Sequence, residues 1–262
     1  MGYISYGIKA FLQQISYRTE VWLQVLGNFL LILIQVSIWK AVIGNDQVEG
    51  ISLEQMITYS VINTLIATLL LTEVFKSVDN ELKTGKIAIY LIKPVLYPLF
   101  LIAENIGRAL YRFIFTAIPT MIICIFIFEV HTPPFSFMHG FAFIIALFLG
   151  IIISFLIGYF IALVSFWFLT TFALDWSLGA LMTVFSGSFF PLWFFPPTWR
   201  FFAEILPFQF LGFIPAAIYL GEIPKEQLFQ TLFIGCSWTI LLVIMVILLW
   251  KKAMKRLIIQ GG

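Results

Sequence analysis

Six long apolar runs constrain the fold of this chain more than any other feature. Each is close to the length of about 20 residues that a helix needs to cross the hydrocarbon core of a bilayer. Backbone groups in lipid must bond within their own segment, and these runs lack the alternation of a barrel strand, so they predict helices. The predicted fold class is all-α, a polytopic membrane protein with six transmembrane helices. The predicted spans are 22–43, 56–75, 103–128, 140–170, 176–194 and 231–250.

Composition supports a membrane protein. Of the 262 residues, 61% are hydrophobic and only 11% are charged, a balance that a soluble domain of this length rarely has. We interpret residues 1–262 as one transmembrane domain. A net charge of +2 gives no reason to expect a nucleic-acid partner.

The basic residues predict the orientation. If both termini are cytoplasmic, twelve lysines and arginines face the cytoplasm and three face outward, a strong positive-inside bias. We therefore expect a multi-pass protein of the cell membrane, and we see no cleavable signal peptide. The inner set is Lys9, Arg18, Lys76, Lys83, Lys86, Lys93, Arg108, Arg112, Lys251, Lys252, Lys255 and Arg256, and the outer set is Lys40, Arg200 and Lys225.

Residues 1–21 have the pattern of an amphipathic helix. Ile4, Ile8, Phe11 and Ile15 recur at helical spacing, with polar residues elsewhere on the wheel. This predicts an interfacial elbow helix on the inner leaflet before the first crossing. The alternative is a polar lead-in.

Residues 188–230 are nearly as apolar as a crossing, but they contain six prolines, which a spanning helix would not tolerate. We predict short re-entrant helices that dip into the outer leaflet before the last span, where backbone can be buried by protein. The alternative is a plain aromatic belt at the interface. Arg200 and Glu204 are one helical turn apart and could pair.

Catalytic motifs are missing from the sequence. It has no HExxH, no CxxC and no histidine pair at metal spacing, so we assign no catalytic residue and no metal site. The Gly85-Lys86 pair lacks the glycine and hydroxyl residue of a P-loop, so the chain does not bind and hydrolyse ATP alone. The middles of the spans are almost free of ionisable residues, which weakens ion-coupled mechanisms. Energy for active transport would come from outside the chain.

A polar island at residues 76–94 separates two of the predicted spans. It predicts a short helix from Ser77 to Thr84, ended by Gly85, and a second apolar piece stopped by Pro94. A surface helix with mixed charge and apolar anchors favours a protein contact. The alternative is a solvated linker.

The order of these elements resembles the membrane subunit of a type-2 ATP-binding cassette exporter. The resemblance covers the elbow, the six spans, the Gly-containing cytoplasmic connection that ends in Lys-Pro, and the Pro-broken segment before the last span. The stretch GKIAIYLIKPVLYP at 85–98 and the terminal Gly261-Gly262 resemble one uncharacterised bacterial branch of these permeases.

The resemblance implies a partnership. Such a subunit pairs with a second permease, identical or related, and with two separate cytoplasmic ATPase subunits that hold ATP and Mg, while this chain binds no cofactor. The ATPase-docking and coupling role falls on Asp79, Glu81, Leu82, Lys83, Gly85 and Lys86. The elbow residues Lys9 and Arg18 help to hold the ATPase. The external gate falls on Phe189, Phe190, Pro191, Trp193, Phe194, Phe195, Pro196, Pro197 and Trp199.

A lipid-accessible aromatic cavity would favour a hydrophobic or amphipathic substrate, such as a drug, a peptide antibiotic or a lipid-like molecule, over a polysaccharide. Two other functions stay open: an ATP-independent channel or secondary carrier, and a non-transporting sensory membrane subunit. A channel would need a polar stripe through at least one span. The candidates for such a stripe are Gln35, Ser37, Asn63, Thr64 and Thr68.

Overall fold

The computed structural model describes residues 2–44, 47–48, 50–71, 73–92, 96–128, 130, 136–167 and 172–260. Within these ranges the chain is helical and has no β-strand, so the all-α fold class is confirmed. The first six helices are α1 Gly2–Gln14, α2 Arg18–Ile43, α3 Leu53–Leu69, α4 Val74–Lys83, α5 Lys86–Ile92 and α6 Tyr97–Arg112. The next six are α7 Ile118–Ile127, α8 Phe137–Val164, α9 Phe172–Phe185, α10 Pro197–Ile205, α11 Phe213–Leu220 and α12 Lys225–Gln260.

Among the residues that the structure describes, five helical stretches are long and apolar enough to cross a membrane. They are Thr19–Ile43, Leu53–Leu82, Tyr97–Ile127, Phe137–Trp167 and Lys225–Lys255. The predicted extent of the fifth span, 176–194, is wrong. The helix there is α9, which has 14 residues and a length of about 21 Å, less than a hydrocarbon core of about 30 Å. It ends because Gly187 takes a positive φ of 70° and Pro191 follows.

The predicted span 56–75 is divided between two helices. α3 ends at Leu69, and α4 begins at Val74. Ser154 of α8 covers the break, since its hydroxyl accepts the Leu71 backbone N–H at 3.0 Å. Gly158, one turn further along α8, lies beside the same break, and a Cβ there would be in ordinary van der Waals contact with the Val74 Cβ at 3.6 Å. A membrane-buried break is tolerated when a neighbouring helix satisfies the freed backbone group.

The predicted span 103–128 is continuous but not uniform. A π-helix, Phe113–Ala117, joins α6 to α7, and Pro119 lies in the first turn of α7. Proline cannot donate to the preceding turn and collides with its carbonyl, so one wider turn is a common way to keep the helix running.

The core is built around α3 and α8. Most of α3 is buried on every side, from Met56 to Thr64. The 3₁₀ turn Pro207–Leu211 packs against α8 and sinks close to α12, because two glycines leave room for it. A Cβ on Gly150 would lie 2.4 Å from the Phe210 carbonyl oxygen, and one on Gly235 would lie 2.7 Å from the Phe210 ring. Short helices therefore occupy 197–220 as the proline pattern predicted, while their depth in the bilayer stays a prediction.

The bundle has two ends, named here by one residue each. At the Glu222 end, the Gln55 Nε2 donates to Glu222 Oε1 at 2.6 Å, and the His139 ring donates to the Ile223 carbonyl at 3.0 Å. At the Glu81 end, Tyr97 donates to Glu81 and stacks on Trp250 with ring centroids 5.9 Å apart. Between these ends α12 rises about 37 Å from Lys225 to Trp250, enough to cross a bilayer.

Candidate functional site

A polar groove lies between α2, α3, the α6–α7 run and the end of α9. Its volume is about 410 Å³, within the range of small-molecule sites, roughly 300–1,000 Å³. Nine of its thirteen lining residues carry an amide or a hydroxyl, which is unusual for a cavity among membrane helices, although most of the exposed wall surface is apolar. The lining residues are Gln24, Asn28, Leu31, Gln35, Asn63, Thr64, Ala67, Thr68, Arg112, Thr116, Thr183, Ser188 and Phe189.

Helical spacing puts these side chains on facing stripes. On α2 the lining residues recur at intervals of four, three and four residues, from Gln24 to Gln35. On α3 the polar pair Asn63 and Thr64 is followed one turn later by Thr68. The α2 stripe rises about 16 Å, roughly half of a hydrocarbon core of about 30 Å.

Two amide oxygens of the groove have no hydrogen-bond partner among the described residues. They are Gln35 Oε1 and Asn63 Oδ1, whose residues are 4% and 3% exposed. The Asn63 orientation is fixed because its Nδ2 donates to the Tyr59 carbonyl at 3.2 Å, and a carbonyl can only accept. The threonine hydroxyls differ, since Thr64 donates to the Ser60 carbonyl and Thr68 to the Leu65 carbonyl.

Charge enters the groove only at its Glu81 end, where the described lining includes Arg112. Its guanidinium pairs with Glu73 at 2.8 Å, so its charge is countered. A second polar cavity of about 280 Å³ continues from there, past Glu20 and Gln24. Arg108 pairs with Glu104 at 2.6 Å. Four charged residues of this region, Glu73, Glu104, Arg108 and Arg112, are thus held in two ion pairs.

The aromatic segment, residues 189–199, closes the groove toward the Glu222 end. Its rings pack on the chain itself: Phe190 and Phe194 lie against Trp39 of α2, at centroid distances of 5.8 and 5.3 Å. Trp193 lies between Tyr59 and Phe213, at 5.6 and 5.0 Å. Aromatic pairs at these separations add about 0.5–1.5 kcal/mol each beyond burial.

The predicted gate residues therefore divide into two groups. Pro191 is buried, and Trp193, Phe194 and Phe195 are half-buried. Phe189, Phe190, Pro196, Pro197 and Trp199 are exposed. Their gating role stays a prediction. Arg200 and Glu204 beside them do pair, at 2.8 Å.

The predicted docking residues lie at the Glu81 end, on α4 and at the start of α5. Gly85 separates the two helices with a positive φ of 67°, as its position in the sequence suggested. Glu81 does not face outward: it is 8% exposed and accepts the Tyr97 hydroxyl. Leu82 packs partly against the core, Asp79 is half-buried, and Gly85 and Lys86 are exposed. The Lys83 side chain, as well as Lys93 and Pro94, lies outside the described residues.

The elbow packs on α6 as a parallel neighbour. Gly7 and Gly107 make the contact, since a Cβ on Gly107 would lie 2.1 Å from the Gly7 carbonyl oxygen. This is the close approach that small residues allow in membrane helix pairs. Ile4 and Ile8 are left exposed, and so is Lys9. The side chain of Arg18 lies outside the described residues.

The sequence analysis missed the groove as a site but named some of its members. Gln35, Asn63, Thr64 and Thr68 come together there, while Ser37 points elsewhere and donates to the Leu33 carbonyl. The usable signal was the spacing of Gln24, Asn28 and Gln35 on one face of α2. Each stands alone among apolar neighbours, so no local motif marks them.

The chain matches a known protein family over most of its length. Residues 44–261 match the model of a family described as ABC-2 family transporter protein. Searches among curated proteins and among solved structures found no match.

Proposed function

We propose, on the premise that this chain belongs to the ABC-2 family of transporter proteins and is the membrane permease of an ABC transporter, that it works as an ATP-driven exporter. The family match over 44–261 carries the proposal. ATP and Mg are held by separate ATPase subunits at the Glu81 end, which is the cytoplasmic end with both termini. A second permease, identical or related, completes the complex, and the polar groove carries the substrate.

The shape of α4 supports docking at this end. Its buried residues, Val74, Phe75, Val78 and Glu81, recur at helical spacing and fix one face to the bundle. The opposite face shows Lys76 and Asn80 to the outside, followed by the exposed Thr84, Gly85 and Lys86. A partner that closes on ATP would push on this face, and α4 would transmit the movement to α8, on which it packs. Glu81 then acts as an internal anchor of the docking helix.

Charge reversal tests the docking face. We expect Lys76→Glu with Lys86→Glu to abolish co-purification of the ATPase in mild detergent, because both lysines are exposed on that face. The matched control is Lys40→Glu with Lys225→Glu, which reverses two exposed charges near the Glu222 end. Equal loss in both variants, or retained and coupled ATPase in the first, would show that the ATPase docks elsewhere.

An ATP-independent channel or carrier is the second candidate, and one observation favours it. Four of the five residues that a polar stripe would need line the groove. The two functions can be distinguished by measuring substrate flux into liposomes that contain this chain, with and without its ATPase and ATP. An exporter should show flux only with its ATPase and ATP, whereas a channel should conduct without either.

A further inference from the structure

The partnerless atoms of the groove show what kind of ligand it would hold. Gln35 Oε1 and Asn63 Oδ1 are buried acceptors, so what they lack is a donor, an O–H or N–H group. Arg112 Nε, at the Glu81 end of the groove, is a buried donor without a described partner, and a hydroxyl can serve it as an acceptor. An atom left unpaired in a buried site carries a free-energy cost, because it has lost its hydrogen bonds to water. Hydrophobic cargo would leave the cost at both oxygens in place, whereas a hydroxyl or amide N–H would remove it.

A glycine allows the Asn63 amide its position at the groove wall. A Cβ on Gly212 would lie 2.7 Å from Asn63 Oδ1 and 2.8 Å from the Ser188 Cβ. Any larger residue at 212 would therefore displace the Asn63 amide or Ser188. The oxygen lies at the groove wall beside Ser188, near the end closed by the aromatic segment.

The charge of the groove limits the ligand further. Apart from Arg112, whose charge Glu73 counters, the described lining residues are neutral. The one charge among the described lining residues is therefore already engaged by a carboxylate from outside the groove, which leaves little attraction for an ionic head group. Leu31, Ala67 and Phe189 add apolar surface to the same wall. A neutral polar head and an apolar chain match these two kinds of surface.

We infer that the polar groove binds an uncharged amphiphile whose head carries several hydrogen-bond donors, hydroxyl or amide N–H groups, which bond to Gln35 and Asn63. This inference rests on the proposed function, since it names the substrate class of that pathway. The sequence predicted a hydrophobic or amphipathic substrate, and the inference restricts this class to amphipathic molecules that carry hydrogen-bond donors.

A pair of probes with the same octyl chain and sugar ring, one with donors and one without, tests the inference. Octyl glucoside carries four hydroxyl donors, and its tetra-O-methyl ether carries none. The chain is placed in lipid nanodiscs without ATPase, and each probe is titrated below its micelle concentration while the thermal midpoint is followed. We expect a saturable rise with the glucoside and none with the ether.

Substitutions connect the effect to the groove. Gln35→Leu and Asn63→Leu each remove one acceptor and should weaken glucoside binding about tenfold, which corresponds to about 1.4 kcal/mol. Ser37→Ala is the matched control on α2, because its hydroxyl bonds to its own helix, and it should bind like the unaltered chain.

Three results would overturn the inference. The first is that the ether binds as well as the glucoside, and the second is that both leucine variants bind the glucoside like the unaltered chain. The third is that a Gln35→Cys, Cys236→Ser chain forms an interchain disulfide, because a second permease would then cover the acceptors. Because no ATPase is present, these results are independent of the docking experiment. Loss of docking with intact glucoside binding would count against the exporter and not against the ligand class.

Discussion

The aromatic segment and the polar groove meet at Phe189, yet they differ in how far their buried polar groups are hydrogen-bonded. Next to the aromatic segment, the Tyr59 hydroxyl donates to the Gly187 carbonyl at 2.6 Å, and the Phe213 backbone N–H donates to Ser186 at 2.8 Å. In the groove, two amide oxygens have no described partner. Three of the six rings, Trp193, Phe194 and Phe195, are half-buried by packing within the chain, while Phe189, Phe190 and Trp199 remain exposed. The unpaired atoms beside them mark the better place for a ligand.

Gly187→Ala should cause the largest loss of stability, because it disturbs the turn that precedes the aromatic segment. The residue has a φ of 70°, and a Cβ would lie 2.8 Å from the Phe213 Cβ. Strain and overpacking together should cost about 2–5 kcal/mol of stability. The thermal midpoint of the purified chain in detergent measures this.

Gly179→Ala is the control for that substitution. Gly179 lies within α9, and a Cβ there meets nothing within 4 Å. Alanine is a better helix former than glycine by about 1 kcal/mol, so the midpoint should stay or rise. If both variants lose the same stability, close packing at Gly187 is not the cause.

Tyr59→Phe should have the next largest effect, because it removes one hydrogen bond and keeps the ring. The Gly187 carbonyl, which lies in a buried residue, would lose its tyrosine donor at a cost of about 1–3 kcal/mol. Substrate binding in the groove should persist, since Tyr59 does not line it. A midpoint equal to that of the unaltered chain would mean that the carbonyl finds another donor.

The contrast between correctly predicted and missed features shows what the sequence could reveal. Glycine and proline announced the break at Gly85 and the short helices of 197–220, because their backbone effects are local. The end of α9 was missed because the Phe-rich residues that follow are as apolar as a span. Burial of Glu81 was missed because its partner, Tyr97, comes from another helix. The groove required four separate segments to meet, and no sequence window contains them.

Gln35→Leu tests the groove side of the comparison, and here we expect stability to rise. It replaces a buried amide whose oxygen has no described partner by an apolar side chain of similar size, so stability should increase by about 1 kcal/mol while glucoside binding falls. The thermal midpoint without probe measures the first effect. Ser37→Ala, which removes a partnered hydroxyl on the same helix, should not increase it. A loss of stability in Gln35→Leu would indicate that its oxygen is already satisfied.

The smallest expected effect concerns pH and Glu222, beyond the aromatic segment. Burial raises the pKa of its carboxyl, and the bond from Gln55 only partly offsets this. The folded chain therefore holds this proton more tightly than the unfolded chain does. Its contribution is fully present below the unfolded pKa and is lost as pH rises through the folded pKa.

The thermal midpoint of the unaltered chain, relative to Glu222→Gln, should thus fall as pH rises from about 4.5, the unfolded value, through the raised folded pKa. The Gln variant keeps an acceptor for Gln55 and cannot ionise, so the difference between the two curves isolates this one group from all others that titrate. A difference that grows in the opposite direction would mean that Gln55 stabilises the charged form more than burial opposes it. The polar groups at the Glu222 end would then be as well hydrogen-bonded as those next to the aromatic segment. Of the three regions compared, only the groove would contain polar atoms without a described partner.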